Sequence, residues 1–502
     1  MSEPFYITTA ISYPNGPPHI GHAYEAIAAD VIARFQRAQG RDVRFQTGTD
    51  EHGLKMAQAA RAESVEPRAF ANKMSRLFQD MCDKLNVSYD RFILTSQADH
   101  YRASQAIWSA MEANGDLYLG RYEGWYSVRD EAYYDDSELS VGERGEKLSP
   151  QGTPVEWTVE ESWFFKLSAY QQKLLDLYAG QPKFIQPESR RNEVLRFVEG
   201  GLSDLSISRT SFDWGVPVPG SPGHVMYVWL DALTNYITGL GYPDDTELWR
   251  RYWPANLHLI GKDVVRFHTV YWPAFLMSAG LELPKQVFGH GFLLSRGEKM
   301  SKSVGNVVDP MVLADRFGVD ALRYFLLREV PFGQDGSYSA EAIVNRANAE
   351  LANSFGNLAQ RTLSMIFKNL EGVIPKTGQA EEDQALLEQV AQRCQHLADN
   401  FERLAFSTGL EEWMLGVFAC NAYVDTKAPW ALRKTDPDRM AAVLGTLVAA
   451  VRRLAEAVRP VIPASAEKLI AVIDAGEGGV PIAQPQPLFP RLELEEEAET
   501  AK

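Results

Sequence analysis

Cysteine is scarce in this chain. Cys82, Cys394 and Cys420 are the three in 502 residues, and no C-x-x-C pair occurs among them. That usage fits a reducing cytosol and excludes a zinc knuckle built on cysteine. Long apolar runs are also missing: none reaches the ~20 residues a bilayer-spanning helix needs, so no membrane partner is expected. Met1-Ser2-Glu3-Pro4 has no basic region followed by an apolar stretch, so no secretory signal is expected and a cytoplasmic location is. Positive charge is in deficit, with 50 Lys and Arg against 66 Asp and Glu, a formal net charge of −16. Such a balance argues against indiscriminate binding to polyanions, yet leaves room for a local basic groove. No internal repeat is found. What is abundant is apolar: 45% hydrophobic residues against 23% charged ones is an ordinary globular composition. At 502 residues the chain exceeds what one core organises, which predicts two to four domains.

Phe5 to Ala10 is a short β-branched and aromatic run stopped by Pro14-Asn15-Gly16, which reads as a strand and a turn. From Gly21 to Gln39 the apolar Ala23, Ile27, Val31 and Phe35 recur every four residues, predicting a helix with one buried face and Gly40 at its end. Val43 to Thr47 reads as a second strand, so the segment predicts a right-handed βαβ unit and a parallel sheet. Between about 116 and 220 the texture changes to aromatic strands broken by turn residues, which predicts a small insertion between two halves of that sheet. Val225 to Leu230 and Leu257 to Ile260 read as strands, and Asp263 to Ala279 as a helix containing Pro273. Past about 340 the β pattern fades. Leu386, Val390, Cys394, Leu397 and Phe401 step by three or four, as do Trp413, Val417 and Cys420, and residues 440–458 are rich in Ala, Leu and Val. This predicts an all-α helical bundle, with Pro-rich 481–490 and acidic 493–499 as a poorly ordered end.

Two short motifs carry the chemistry. Pro18-His19-Ile20-Gly21-His22 opens the first helix, where the positive helix end and backbone N–H groups suit a phosphate. His19 and His22 share a face there, and Gly21 permits close approach of a ligand to the backbone. Lys299-Met300-Ser301-Lys302-Ser303 offers two ammonium groups to a leaving pyrophosphate. Taken singly, the first is equally a pair of surface histidines and the second a solvated basic loop. Read together, they are two halves of one polyphosphate site.

The pair, in this order, resembles the signature motifs of the class I aminoacyl-tRNA synthetases. Ala10-Ile11-Ser12-Tyr13-Pro14-Asn15-Gly16, Thr49-Asp50-Glu51-His52-Gly53, Tyr227-Val228-Trp229-Leu230-Asp231-Ala232 and Ile260 through His268 are similar to the methionyl-tRNA synthetase family, over most of residues 4–470. The resemblance implies ATP with Mg2+ as substrate, with His19, Gly21, His22, Glu25, Lys299 and Lys302 around it. It implies L-methionine bordered by Ile11 and Tyr13, its ammonium held by Asp50, its side chain enclosed by Trp229, Ala232, Tyr236, Phe267 and His268. An aromatic pocket suits a polarizable thioether. It further implies tRNA(Met), initiator tRNA included, with the anticodon read by Asn353, Asn357, Arg361 and Trp430. Core packing for Trp229, Phe267 and Trp430, and a helix-surface position for Glu25, are the plainer alternatives.

The sequence departs from the family pattern at Leu233, where some members carry proline, and in the insertion, which lacks the zinc-binding cysteines of many relatives. No zinc is therefore expected, with aromatic packing in its place; Asp135 and Asp136 suggest either a cation site or a solvated turn. The expected organisation is α/β, a Rossmann-like parallel sheet split by a small insertion and followed by an all-α bundle. Residues 1–115 and 221–290 form the halves of the catalytic domain, 116–220 the zinc-free insertion, and 291–345 the Lys-Met-Ser-Lys-Ser loop and stem-contact region. Residues 346–475 form the anticodon-binding domain and 476–502 a tail; the protein is expected to be a monomer. A smaller type of nucleotidyl-transfer enzyme and a non-catalytic tRNA-binding relative are the competing readings. If Lys302 stabilises departing pyrophosphate, Lys302→Ala slows adenylate formation far more than it weakens methionine binding; equal losses in single-turnover and binding assays would contradict that role.

Overall fold

The computed structural model describes residues 2–130, 132–142, 144–295, 298–299 and 307–494. They divide into two units, residues 1–83 with 87–290, and 84–86 with 291–502. In the first unit six parallel strands lie in the order Arg91–Leu94, Asp42–Thr49, Pro4–Thr9, Leu257–Gly261, Val287–His290, Ile185–Gln186. The central pairing sets Ile7 opposite Leu257 and Thr9 opposite Leu259. Helix Ile20–Ala38 connects the first two strands with its Ala23, Ile27, Val31 and Phe35 buried, as the four-residue spacing predicts, and Gly40 at φ +83° follows its end. This is a Rossmann-like α/β sheet.

The predicted insertion forms a four-stranded antiparallel sheet, Leu205–Ser206, Glu156–Phe165, Leu117–Ser127 and Ala132–Tyr134. The edge strand Ile185–Gln186 of the large sheet comes from the same stretch of sequence. Arg209, buried, has its guanidinium carbon 4.4 Å from the Tyr133 ring centroid and 4.6 Å from that of Tyr227. At the turn, Asp130 accepts hydrogen bonds from Ser149 at 2.6 Å, Thr153 at 2.5 Å and Tyr134 at 3.1 Å. Aromatic packing and a hydroxyl–carboxylate hub thus fasten this region together. Asp136 pairs with Lys147 and accepts from Trp125 Nε1 at 2.9 Å, while Asp135 caps a short 3-10 turn, so these two carboxylates make a surface turn.

Two sequence expectations are corrected. Val225 to Leu230 is not one strand: Val225–Met226 pairs with Ser208–Arg209, and helix Val228–Thr238 follows. Ten of the helix's eleven residues are buried, so no amphipathic period marks it in the sequence. Asp263 to Ala279 is not one regular helix either, but a 3-10 turn Lys262–Val264, a π-helix Phe267–Tyr271 and an α-helix Trp272–Ser278. Pro273 has no N–H to donate to the turn before it, and the wider π turn accommodates that missing bond.

In the second unit, Leu386, Val390, Leu397 and Phe401 are buried in helix Glu381–Glu402, Trp413, Val417 and Cys420 in Phe406–Lys427, and Pro437–Val458 packs against both. Arg323, fully buried, donates to the carbonyls of Val461 at 2.9 Å, Pro460 at 2.9 Å and Leu85 at 3.1 Å. Part of the end expected to be poorly ordered is docked instead, while residues 495–499 of the acidic run lie outside the described residues. Ile482 N–H donates to Gly372 O at 2.9 Å and Leu492 N–H to Asn348 Oδ1 at 2.8 Å. No helix among the described residues is long and apolar enough to cross a membrane.

Asp383 ties three helices of this bundle. It accepts from Arg439 at 2.6 and 2.7 Å and from the Tyr423 hydroxyl. Burial alone would raise its carboxyl; the Arg439 and Tyr423 hydrogen bonds overcome that and hold it below the usual range. Its contribution to stability is therefore complete above the ordinary carboxylate value and is lost as pH falls through the lower folded value. Asp383→Ala should destabilise the second unit by ~3 kcal/mol at neutral pH. In urea unfolding the gap from wild type should narrow in strong acid; a gap that widens there would contradict the assignment.

Candidate active site

The strands Pro4–Thr9 and Leu257–Gly261 lie side by side where the sheet's connections diverge, the position at which open α/β sheets bind ligands beyond their carboxyl ends. A cavity of about 380 Å³ sits there. Small-molecule sites run from roughly 300 to 1,000 Å³. Its wall brings together Ile11, Tyr13, Asp50, Trp229, Ala232, Tyr236, Phe267 and His268, the eight residues the sequence resemblance placed around one ligand, together with His22 and Glu25. They come from the end of the first strand, the end of Asp42–Thr49, the helix Val228–Thr238 and the π-helical turn.

One side of the cavity is aromatic. Trp229 and Phe267 stack with centroids 3.8 Å apart and planes 7° from parallel, the π turn presenting Phe267 and His268 together. The Tyr236 hydroxyl lies 2.5 Å from His268 Nε2, and His268 Nδ1 lies 2.9 Å from Val264 O. A carbonyl only accepts, so Nδ1 carries the hydrogen and Tyr236 donates to Nε2. Burial pushes His268 down to about 4, keeping the ring neutral at physiological pH. Asp50, buried beside this wall, is fixed by its own N–H bonding to Ser12 O at 2.8 Å. The arrangement is a carboxylate next to an apolar aromatic slot.

On the other side the first turns of helix Ile20–Ala38 contribute His22 and Glu25 to the lining, with His19 and Gly21 next to them in the chain. His19 is its N-cap: His19 Nδ1 accepts from Gly21 N–H at 3.0 Å, and His22 Nδ1 accepts from His19 N–H at 3.1 Å. Both rings therefore carry their hydrogen on Nε2, a donor suited to a phosphate oxygen. The Gly21 N–H is taken by the cap. A Cβ at Gly21 would meet His19 Cε1 at 2.8 Å, so a larger residue displaces the capping ring. Glu25 is not a surface residue: it accepts from His290 Nε2 at 2.8 Å, and burial raises its carboxyl while His290 opposes the shift.

The remaining predicted residues belong to the second unit or lie outside the described residues. Lys302 falls outside the described residues; Lys299 pairs with Leu294 in a short antiparallel ladder of the second unit. In that unit Asn353 and Asn357 are exposed and Arg361 half-buried. Residues 347–356 are π-helical, so the four-residue step between Asn353 and Asn357 crosses a change of helix type. Trp430 is 50% exposed rather than core, and the Arg361 guanidinium carbon is 5.6 Å from its ring centroid. Lys55, Arg129, Gln151 and Asp263 also line the cavity, and sequence reasoning missed them. Arg129 and Gln151 belong to turns of the insertion and carry no local period. His52 and Asp231 stood inside quoted motifs without a role, although a histidine and an aspartate in apolar surroundings signal a partner.

Residues 5–363 match the family described as tRNA synthetases class I (M), and residues 374–490 match the anticodon binding domain of methionyl tRNA ligase. The chain belongs to the methionyl-tRNA synthetase family. It is 58% identical to the methionine–tRNA ligase of Brucella suis, over 97% of this chain and 98% of that one. The Mesorhizobium japonicum enzyme is 59% identical over 94% and 91%. Among solved structures, Mycobacterium tuberculosis methionyl-tRNA synthetase in complex with methionyl-adenylate aligns with a TM-score of 0.94 and 54% identity, covering 97% of this chain and 100% of that chain. Its apo form aligns with a TM-score of 0.88 and 50% identity, covering 99% of both. Coverage of this extent sets aside the smaller nucleotidyl-transfer enzymes. The Tyr236–His268 bond is a polar contact within the aromatic wall. Tyr236→Phe leaves His268 Nε2 without its donor and should raise the methionine KM about tenfold with kcat little changed. Unaltered steady-state parameters would contradict the role given to this pair.

Proposed function

We propose that this chain is a methionine–tRNA ligase acting in the cytoplasm, with L-methionine, Mg-ATP and tRNA(Met), initiator tRNA included, as substrates. The methionine carboxylate attacks the α-phosphorus of ATP; the new C–O–P bond forms as the bond to the β-phosphate oxygen breaks, and pyrophosphate leaves. A terminal ribose hydroxyl of the tRNA then attacks the activated carbonyl, giving methionyl-tRNA and AMP. The convergence of four separate stretches of chain on one cavity, in a chain 58% identical to a methionine–tRNA ligase, carries this reading.

Asp50 holds the substrate ammonium, which orients the carboxylate toward the phosphates. Trp229, Phe267 and the neutral Tyr236–His268 pair enclose the thioether, with Ile11, Tyr13 and Ala232 completing the wall. His19 and His22 donate from Nε2 to phosphate oxygens, and Glu25 faces the adenosine. Lys299 and Lys302 stabilise the departing pyrophosphate. No side chain serves as a covalent nucleophile; alignment and charge stabilisation supply the rate. Asn353, Asn357, Arg361 and Trp430 read the anticodon, the indole by stacking and the others by hydrogen bonds to base edges. The enzyme needs no zinc and works as a monomer.

Exchange of labelled pyrophosphate into ATP should depend on methionine, with leucine, isoleucine and valine far weaker. Absence of methionine-dependent exchange would overturn the reading. Removing one methyl changes pocket discrimination by only ~1–3 kcal/mol. Homocysteine should therefore be activated slowly and released as its cyclic thiolactone; no thiolactone from homocysteine and ATP would contradict the account of the pocket.

A further inference from the structure

Beneath the aromatic wall lies a buried polar cluster to which no role has been given. The Asp231 carboxylate, wholly buried on helix Val228–Thr238, faces two imidazoles: His52 Nδ1 at 2.6 Å from one oxygen and His100 Nε2 at 2.6 Å from the other. His52 and His100 are themselves buried. A carboxylate only accepts, so both ring nitrogens carry hydrogen, and each bond is charge-assisted. The far sides of the rings are held too. His52 Nε2 is 3.0 Å from the Tyr101 hydroxyl and His100 Nδ1 is 3.0 Å from Thr238 Oγ1. Burial works to raise the Asp231 carboxyl, and the two imidazoles more than reverse it, so the group is an anion.

The sequence positions give this cluster its consequence. Asp231 is two residues after Trp229 and directly before Ala232, while His52 is two residues after Asp50. The turn bearing His52 is anchored from behind, since Trp214 Nε1 donates to Glu51 O at 2.5 Å. The Asp231–His52 bond therefore spans the two walls that meet the two ends of the amino acid. We propose that Asp231 is a positioning residue for methionine. Through His52 and His100 it fixes the distance between the ammonium-binding carboxylate and the aromatic slot. This rests on the assignment of Asp50, Trp229 and Ala232 made under the proposed function. The phosphate side of the cavity lies on another helix, so loosening this clamp affects methionine and spares ATP.

The test is steady-state pyrophosphate exchange by the full chain carrying Asp231→Asn, with each substrate varied in turn. The methionine KM should rise about ten- to a hundredfold, the ATP KM should change by less than about twofold, and kcat at saturating methionine should largely persist. A cluster that merely supports the fold would reduce active enzyme without splitting the two KM values, and that result overturns the proposal. If Asp231→Asn gives no folded protein, the histidines carry the same test. His52→Asn and His100→Gln keep an amide N–H near the bonded ring nitrogen and should retain methionine affinity, whereas His52→Ala and His100→Ala should show the methionine-only rise. Equal behaviour of the amide and alanine variants overturns the proposal. Asp50→Asn separates this inference from the one beneath it: no change in methionine KM there overturns the site assignment, while a rise there with no split at Asp231 overturns the clamp alone.

Discussion

The parallel pairing of Pro4–Thr9 with Leu257–Gly261 is the constraint on which the rest depends. It joins segments 250 residues apart, and Thr8 Oγ1 and His258 Nδ1, 2.7 Å from each other across it, lock the register from inside the core. Because the two strands point the same way, their carboxyl ends open into one crevice. Ile11 and Tyr13 follow one strand, while Asp263, Phe267 and His268 follow the other. A slip in register would shift the residues that follow one strand relative to those that follow the other, and so the two walls of the crevice.

Several buried polar groups are paired where elements distant in sequence must hold a fixed geometry. The Asp231 carboxylate bridges His52 and His100 beside the aromatic wall, and Glu25, near the start of helix Ile20–Ala38, meets His290. In the second unit Arg323 gathers backbone carbonyls, and Asp383 gathers Arg439 and Tyr423. Each would cost several kcal/mol if left unpartnered, so each fixes a geometry that apolar packing alone would leave adjustable. By contrast the three thiols take no such part: burial pushes Cys82 and Cys420 up to about 12 and Cys394 to about 11, which leaves them inert.

The legibility of these features followed their physics. Helix Ile20–Ala38 was readable because one face is buried and its apolar residues keep a helical step. The helix Val228–Thr238 was not, because it is buried on nearly all sides and its Val, Trp and Leu run mimics a core strand. The π turn at Phe267–Tyr271 depends on a single proline six residues after the first of its ring-bearing neighbours, a signal too local for periodicity. The cavity wall was legible through a resemblance of whole motifs, which also carried His52 and Asp231 without revealing that they touch. Their contact spans 179 residues and exists only in three dimensions. Arg129 and Gln151 reach the cavity from turns of the insertion, where neither hydrophobic pattern nor motif marked them.

The central claim is that the cavity at the sheet's crossing point holds the amino acid, with Asp50 at one end and the Trp229–Phe267 and Tyr236–His268 pairs at the other. A crystal structure of this chain soaked with L-methionine tests it most directly. The account predicts the ammonium at ~3 Å from the Asp50 carboxylate and the sulfur against the Trp229 and His268 rings. Methionine bound in the reverse sense, or at any other place, would contradict it.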